Sequence, residues 1–184
     1  MPLGPDFESV LGAAKAGADW AWALLYRELA GPVTGYLASR QAPDPEDAAA
    51  ETFLQVARGI HGFEGGEEAF RSWVFVIAHR RLIDARRKVM RRPDLVALPD
   101  SESGHRGGDV EEEAMENLVT AEMQRAFEVL TDDQRDVLAL RIIAKLTLEE
   151  TADAVGKRVG AVKALQRRGL IALRLRIDQD RVTT

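Results

Sequence analysis

The stretch "TLEETADAVGKRVGAVKALQRRGL", residues Thr147 to Leu170, decides the fold of the C-terminal part of the chain. Thr147 and Glu150 fit a capping box that starts one helix, and Gly156 fits the left-handed residue that ends it. Apolar residues follow helical spacing on both sides of this glycine: Leu148, Ala152 and Val155 before it, and Val159, Val162 and Leu165 after it. The pattern predicts two short helices around a tight turn, with basic residues crowded onto the second helix.

The charges of the chain are strongly segregated, although its formal net charge is only -5 over 184 residues. Residues 71–92 contain eight basic residues and one acid, residues 93–117 contain eight acids and one arginine, and residues 157–177 contain seven basic residues and no acid. Binding to a polyanion depends on the local density of Lys and Arg within a Debye length of about 8–10 Å. The acidic total therefore does not argue against binding to nucleic acid.

Helical periodicity dominates on both sides of the acidic stretch, and no convincing run of alternating strand residues is present. Asp44 fits an N-cap before Pro45, and Thr131 with Gln134 fits a second capping box. The segment "RRPDLVALPDSESGHRGGDVEEE" is rich in Pro, Gly, Ser and acids, which is typical of a linker. We predict an all-α protein with two small helical domains, residues 1–92 and 117–184, joined by an acidic flexible linker over residues 93–116. The C-terminal domain contains a helix-turn-helix.

Several function classes are disfavoured by composition and pattern. No segment approaches the roughly 18–20 consecutive apolar residues of a membrane span, and the N-terminus lacks the layout of a secretory signal, which predicts a cytoplasmic protein without a membrane partner. The chain has no cysteine and three scattered histidines, so neither a metal site nor a cofactor is predicted. No His/Asp/Ser, paired-carboxylate or Gly-rich phosphate-binding pattern appears, so the chain is not expected to be an enzyme.

Two segments are candidate contacts for DNA. On the predicted second helix of the helix-turn-helix, the residues outside the apolar stripe include Arg158, Ala161, Lys163, Ala164, Arg167 and Arg168, and such a helix fits the major groove. The alternative is a plain helical hairpin with a solvated basic face. In the N-terminal domain, aromatic residues precede the basic block: Phe63, Phe70, Trp73 and Phe75. Aromatics beside cations suit opened DNA, although aromatics at helical spacing are more often core residues.

Together these segments resemble the extracytoplasmic-function (ECF) sigma factors, the smallest class of the sigma-70 family. "LLYRELAGPVTGYLASR", "DPEDAAAETFLQVARGI" and "FRSWVFVIAHRRLIDARRK" are similar, in order, to the first conserved domain of that family. "LTDDQRDVLALRIIAKLTLEETADAVGKRVGAVKALQRRGLIALR" is similar to the second domain. The resemblance implies a protein that binds core RNA polymerase, directs it to -10 and -35 promoter elements and promotes melting of the duplex.

The resemblance also implies roles for particular residues. Contacts with the clamp of the largest polymerase subunit are implied for Asp47, Ala50, Glu51 and Leu54. Contacts with the -10 element are implied within the loop 62–69 and the helix after it, at Phe63, Arg71, Trp73, His79, Arg80, Asp84 and Arg87. Contacts with the -35 element are implied for Arg158, Gly160, Ala161, Lys163, Ala164, Leu165, Arg167 and Arg168. For His79 the implied role is to stack on, or donate to, a base of the opened strand, and the alternative is a satisfied helix residue.

The implied partners are the clamp and flap of core RNA polymerase, promoter DNA and, in addition, an anti-sigma factor. Two other classes of protein share the same sequence features. One is a helix-turn-helix transcriptional regulator that binds a palindromic duplex without polymerase. The other is a protein-binding adaptor, in which neither basic block meets DNA. Promoter binding that requires core polymerase distinguishes a sigma factor from both.

Overall fold

The structure, a computed structural model, describes residues 6–91 and 128–183. These residues form seven α-helices and no strand, so the all-α prediction is confirmed for the described part of the chain. The helices are α1 (Phe7–Lys15), α2 (Asp19–Ser39), α3 (Pro45–Gly59), α4 (Glu67–Arg91), α5 (Asp132–Ile142), α6 (Leu148–Val155) and α7 (Val159–Thr183), with a 3-10 turn at Ile60–Gly62 after α3. The predicted linker, residues 93–116, lies outside the described residues.

Helices α1 to α4 form the N-terminal domain, in which α2, α3 and α4 pack against one another and α1 packs on α2. The Asp44 carboxylate accepts a hydrogen bond of 2.8 Å from the backbone N–H of Asp47, so the predicted N-cap of α3 is confirmed. Helical spacing then turns one face of α3 inward, burying Ala48, Thr52 and Val56. These side chains join an apolar core that includes the buried residues Leu25, Val33, Leu37, Phe75 and Leu82.

An aromatic cluster fills one end of this domain. Phe63 stacks on Trp73 with 5.1 Å between ring centroids and meets Phe70 edge-on at 5.2 Å. Phe7 of α1 contacts Phe70 at 5.6 Å. Phe63, Phe70 and Phe75 are buried and Trp73 is half-buried. These aromatic residues are therefore packed as core residues, which was one of the two interpretations of the sequence. Such tilted and stacked pairs are favourable arrangements for aromatic rings.

Helices α5 to α7 belong to the C-terminal domain, and both capping boxes predicted from the sequence are present. The Thr147 hydroxyl accepts from the Glu150 backbone N–H at 3.2 Å, while the Glu150 carboxylate accepts from the Thr147 backbone N–H at 2.7 Å. Gly156 ends α6 with φ +66°, in the left-handed region that the sequence pattern assigns to it. A small apolar core of Val137, Ala152, Val162 and Leu165 holds the three helices together.

The two domains are in contact, which the sequence pattern did not predict. Apolar side chains of the C-terminal domain, among them Leu138, Leu140 and Leu146, continue the core of the N-terminal domain. Beside them, the Arg40 guanidinium pairs with the Asp136 carboxylate at 2.6 Å, with the Arg40 side chain fully buried. Two N–H groups of Arg71 donate to the Ala144 and Ile143 carbonyls, each at 3.1 Å, at the C-terminal end of α5. Polar and apolar contacts thus both cross the boundary between the domains.

Candidate nucleic-acid interface

Helix α7 presents its basic residues to solvent at the helix-turn-helix. The left-handed Gly156 lets the chain reverse direction after α6, and α7 begins three residues later at Val159. Val159, Val162 and Leu165 then face α6, as the helical spacing predicts. The opposite side of α7 is exposed, together with Arg158 just before the helix; the exposed residues are Arg158, Gly160, Ala161, Lys163, Ala164, Arg167 and Arg168. Four cations interleaved with glycine and alanine form a surface that a DNA backbone can approach closely.

Leu165 differs from the other residues in the predicted -35 set. Its side chain is only 8% exposed and packs with Val162 in the small core of the domain. Leu165 lies three residues after Val162, so the helical period returns it to the inward face. The structure therefore gives Leu165 a packing role, and the predicted direct contact with DNA requires correction at this position.

The basic helix α4 exposes part of its predicted -10 set. Arg80, Asp84 and Arg87 are exposed and lie about one turn apart, with 4.0 Å between the charged groups of Arg87 and Asp84. Together they line one wall of a cleft with a volume of about 530 Å³. The opposite wall belongs to the C-terminal domain and includes the carboxylates of Asp133, Asp136 and Asp153 and the amine of Lys157. In this arrangement the cations of α4 thus face acids of the other domain.

His79 is buried beneath this exposed face, with a residue exposure of 4%. Its Nδ1 lies 2.7 Å from the Tyr36 hydroxyl oxygen and 3.9 Å from the Asp136 carboxylate. Burial lowers the pKa of the His79 imidazole, although the Asp136 charge acts in the opposite direction. Burial likewise raises the pKa of Tyr36, which keeps the phenol protonated and able to donate to Nδ1. In this arrangement His79 is a satisfied helix residue, and stacking on a base would require its ring to leave Tyr36.

The remaining predicted -10 residues are engaged in packing. Phe63 is buried against Trp73, which is itself half-buried. Arg71 bonds to carbonyls of α5 and also lies over the Phe75 ring, with its guanidinium carbon 5.2 Å from the ring centroid. These three side chains support the exposed segments around them, and none is directed freely into solvent. Periodicity alone did not indicate that Arg71 would be used across the domain boundary.

The outward face of α3 carries the predicted polymerase-binding residues. Asp47, Ala50, Glu51 and Leu54 are all exposed, and Leu54 is 58% exposed although its side chain is large and apolar. The exposed Tyr26 of α2 lies beside this helix, with its ring 4.7 Å from that of Phe53. The structure thus brings two carboxylates and an apolar side chain onto one surface. All four residues that the resemblance assigns to polymerase binding are therefore accessible on this surface.

Comparison with known proteins agrees with this arrangement of two helical domains. The family model for Sigma-70 region 2 matches residues 25–92, and the model for Sigma-70, region 4, matches residues 126–175. The ECF RNA polymerase sigma factor RpoE of Cereibacter sphaeroides is 33% identical over 175 residues, covering 92% of this chain and 93% of the relative. The ECF RNA polymerase sigma factor ShbA of Streptomyces griseus is 33% identical over 137 residues, covering 73% and 72%.

This chain belongs to the ECF sigma factors. It is therefore a sigma factor that directs RNA polymerase in the initiation of transcription, with RNA polymerase and promoter DNA as its partners. The solved structure of CnrH in complex with the cytosolic domain of CnrY has the same fold, with a TM-score of 0.65 at 19% identity. That alignment covers 95% of this chain and 98% of CnrH.

One polar cluster of this sigma factor was missed by reading the sequence. Arg40, Asp136, Tyr36 and His79 meet between α2, α4 and α5. Arg40 follows the buried end of α2, and Asp136 directly precedes the buried run 137–140. A charge next to a buried apolar run is the signal that could have indicated a paired, buried ion. The pairing of these two residues, 96 positions apart, could not be read from either run alone.

Residues 6–91 and 128–183 lack two kinds of feature, a membrane span and a metal-binding cluster. The helices of this part of the sigma factor include none that is long and apolar enough to cross a membrane. The same residues contain no cluster of His, Cys, Asp and Glu side chains that could hold a metal ion.

Proposed function

We propose that this sigma factor binds the polymerase clamp through α3, contacts the -10 element through α4 and the loop before it, and contacts the -35 element through α7. The proposed domains are residues 1–92 and 117–184, joined by residues 93–116. The observation that carries this proposal is the exposed basic face of α7 on a helix-turn-helix whose inward residues Val162 and Leu165 are packed in the small core of the domain. A cytoplasmic location, beside polymerase and DNA, follows from the same proposal.

The -35 contact is proposed to divide into phosphate and base contacts. Lys163 and Arg167 are exposed one turn apart along α7, which suits successive phosphates, while Arg158 lies just before the start of the helix, where side chains approach base edges. We expect Lys163→Ala and Arg167→Ala each to weaken binding equally on all -35 sequences. Each should also reduce the slope of log affinity against log salt by about one.

Salt titration of holoenzyme on fully duplex promoters tests these roles. Arg158→Ala should alter the preference among -35 sequences as well as the affinity. Arg174→Ala is a matched control, since Arg174 is an exposed cation further along α7 whose charged group lies near Asp178. If Lys163→Ala, Arg167→Ala and Arg158→Ala all keep the parental salt slope, this face of α7 does not meet DNA.

The polymerase contact is proposed to rest on Asp47, Glu51 and Leu54, with Ala50 allowing close approach. Reversal of two outward carboxylates, in Asp47→Arg with Glu51→Arg, should abolish association with core polymerase while helical content remains. A matched control reverses two exposed acids elsewhere in the same domain, Glu8→Arg with Asp19→Arg. Co-elution with core polymerase on a sizing column is the readout. Unchanged association of the Asp47 and Glu51 variant would remove the clamp assignment.

The -10 contact is proposed to be made directly by Arg80, Asp84 and Arg87 of α4 and by the exposed part of the loop before α4, with Phe63, Arg71 and Trp73 holding these elements in place. Melting exposes unpaired bases, and a neighbouring basic helix favours the strand that carries them. The action of His79 on opened DNA stays a prediction. Promoters that already carry mismatches over the -10 region test it, because they bypass a defect in melting but not a defect in folding.

Promoter binding is proposed to require separation of the two domains. The numbers in the names of the -10 and -35 elements differ by 25, so the two elements lie about 25 base pairs apart on the promoter. This separation corresponds to about 85 Å of B-form DNA. In the arrangement described above, the domains touch and α4 faces acids of the C-terminal domain. We therefore assign this arrangement to the sigma factor free of promoter.

Two further partners are proposed for this sigma factor. The polymerase flap would bind apolar residues exposed along α7, among them Leu170, Leu175 and Ile177. An anti-sigma factor is the other proposed partner, since CnrH, which shares the fold, was solved in complex with the cytosolic domain of CnrY. Gel shifts with and without core polymerase test the whole proposal. Sigma activity requires that specific promoter binding depend on polymerase.

A further inference from the structure

The loop of residues 63–66, which joins the 3-10 turn to α4, is exposed at its tip and anchored at its first residue. Glu64, Gly65 and Gly66 are exposed, while the Phe63 ring is buried against Trp73 and Phe70. Gly65 has φ +139°, where an L side chain is strained, and an added Cβ would lie 3.0 Å from the Ala69 Cβ. The ring of Phe63 is therefore fixed, but two glycines leave the following backbone free to turn.

Lys15, the last residue of α1, restrains the backbone that follows Phe63. Its Nζ donates a hydrogen bond of 2.7 Å to the Phe63 carbonyl oxygen, across 48 positions of the chain. Because the trans peptide is planar, a carbonyl held toward α1 points the N–H of Glu64 in the opposite direction. The lysine thus fixes the plane of the peptide between Phe63 and Glu64.

Helix α1 is positioned to hold this contact. Phe7, one end of the helix, contacts the Phe70 ring, and the other end reaches the 3-10 turn and the loop. The indole N–H of Trp22 donates to the Ala14 carbonyl at 3.1 Å, which ties the same end of α1 to α2. Helix α1 lies before residue 25, where the match to Sigma-70 region 2 begins. Helix α1 therefore supports the loop and α2 from outside the matched segment.

We propose that Lys15 is a positioning residue for -10 recognition, holding the 63–66 loop in the orientation that receives an unpaired base of the -10 element. The inference rests on the proposed function, in which this loop and α4 meet the -10 element. A hydrogen bond from a charged donor to a carbonyl oxygen is stronger than one from a neutral donor, so the Lys15 amine can hold one peptide plane in place. Lys15 itself does not touch the base.

The experiment measures selectivity rather than affinity alone. Holoenzyme is assembled from core polymerase and the full-length chain, and the rate of open-complex formation is measured on promoters that differ by one base in the -10 element. Selectivity is the ratio of rates on the preferred and substituted promoters. Lys15→Met should lower this ratio about tenfold, because a displaced loop loses its alignment with the base. Lys15→Arg, which keeps a charged donor, should retain most of the selectivity.

Two control variants make the outcome specific. Arg174→Met removes one positive charge from an exposed position of α7 and should leave the selectivity unchanged. Gly65→Ala disturbs the loop directly, through its φ of +139°. If Gly65→Ala lowers selectivity and Lys15→Met does not, the loop reads the -10 element but Lys15 does not position it. If neither changes selectivity while both proteins remain folded, the assignment of the loop to the -10 element fails as well.

A merely structural or electrostatic role for Lys15 gives different results. If Lys15→Met lowers the thermal midpoint but keeps the selectivity ratio, the lysine is only a tie between α1 and the loop, and the proposal is wrong. If the variant weakens binding equally on every promoter and reduces the salt slope by about one, Lys15 contacts a phosphate, and the proposal is again wrong. Loss of selectivity that Lys15→Arg restores is the result that supports positioning.

Discussion

The interior of the N-terminal domain and the contact between the two domains differ in the chemistry that holds them. The interior is apolar, with Leu25, Val33, Leu37 and Leu82 buried and helices α2 to α4 packed around them. The contact between domains adds ions and polar groups to its apolar part, and its centre is the buried pair of Arg40 and Asp136. Burial of apolar surface stabilises a core without demanding exact partners, whereas a buried ion requires its partner.

This difference bears on which parts of the molecule can separate. Buried ion pairs lose hydration that nearly offsets their mutual attraction, so their net contribution to stability is small. When the domains separate, Arg40 and Asp136 recover water, which offsets part of the cost of exposing the apolar side chains at the contact. Disruption of a domain interior would expose apolar side chains with no such compensation. One Arg40 nitrogen, Nη1, is buried without a hydrogen-bond partner within the described residues, which weakens the pair further. The contact between the domains is thus suited to separate on a promoter, while the interior of each domain stays folded.

The largest effect is expected from a cavity in the N-terminal interior. Leu37 is fully buried, so Leu37→Ala should lower the free energy of unfolding by about 3 to 5 kcal/mol. Leu54→Ala removes the same atoms from a side chain that is 58% exposed, and it should change stability by less than about 0.5 kcal/mol. Urea denaturation followed by circular dichroism gives both values. Equal effects at the two positions would contradict the proposed division between interior and surface.

A smaller effect is expected when one partner of the ion pair is removed. Asp136→Ala leaves Arg40 buried without its carboxylate. We expect the closed arrangement, in which the two domains are in contact, to lose about 2 to 3 kcal/mol of stability. This loss is smaller than for a fully enclosed pair, because the domains can separate and hydrate Arg40. Arg40→Met combined with Asp136→Leu should be within about 1 kcal/mol of the parent, because an apolar pair needs no hydration.

Energy transfer between one fluorophore on each domain measures this opening, and the absence of native cysteine allows labelling at introduced thiols. Asp136→Ala should lower the transfer efficiency, and the double substitution should restore it. If Asp136→Ala keeps full transfer and stability, the pair does not hold the domains together. Loss of transfer in the double variant as well would show that the polar pair, rather than burial, is required.

The same comparison explains what could be predicted from the sequence. Helices, caps and the helix-turn-helix depend on neighbours within a few positions, so Asp44, Thr131, Thr147 and Gly156 indicated them correctly. Exposure of the α7 cations also followed from the period of the apolar stripe. The contact between domains depends on residues far apart in the chain, such as Arg40 and Asp136, and no local pattern encodes their meeting. For the same reason the partners of His79 and Arg71 could not be predicted, although a satisfied helix residue was one of the two interpretations of His79.

A moderate effect is expected from pH, through His79. Burial lowers the pKa of His79, whose neighbours are Tyr36, Asp136, Arg40, Arg86 and Arg80. The imidazole therefore binds a proton more readily when the domains separate and expose it. The stability that neutral His79 gives to the contact between domains is fully present above a pH of about 6.5, and it is lost as the pH falls toward the lowered pKa. Between pH 7.5 and 5.5 the closed arrangement should weaken, by at most about 1.4 kcal/mol per pH unit.

Substitution of the histidine tests this pH dependence. His79→Asn keeps an acceptor for the Tyr36 hydroxyl but does not titrate, so the energy transfer between domains should become flat over this range. His61→Asn is the matched control, because His61 is exposed and its loss should leave the pH dependence unchanged. A pH dependence that persists in His79→Asn would assign the effect to another group at the contact.

The smallest effect is expected from a comparison of the two capping boxes. Burial acts to raise the pKa of Glu150, but hydrogen bonds from the Thr147 backbone and from Ser72 of α4 outweigh it and lower that pKa. Thr131→Ala and Thr147→Ala should each destabilise the C-terminal domain by about 1 kcal/mol, because each removes a cap. Thr147→Ala should also loosen the contact between domains slightly, since Thr147 orients the carboxylate that meets Ser72. Urea denaturation gives the first effect and energy transfer gives the second, and equal transfer in the two variants would show that Glu150 caps α6 without joining the domains.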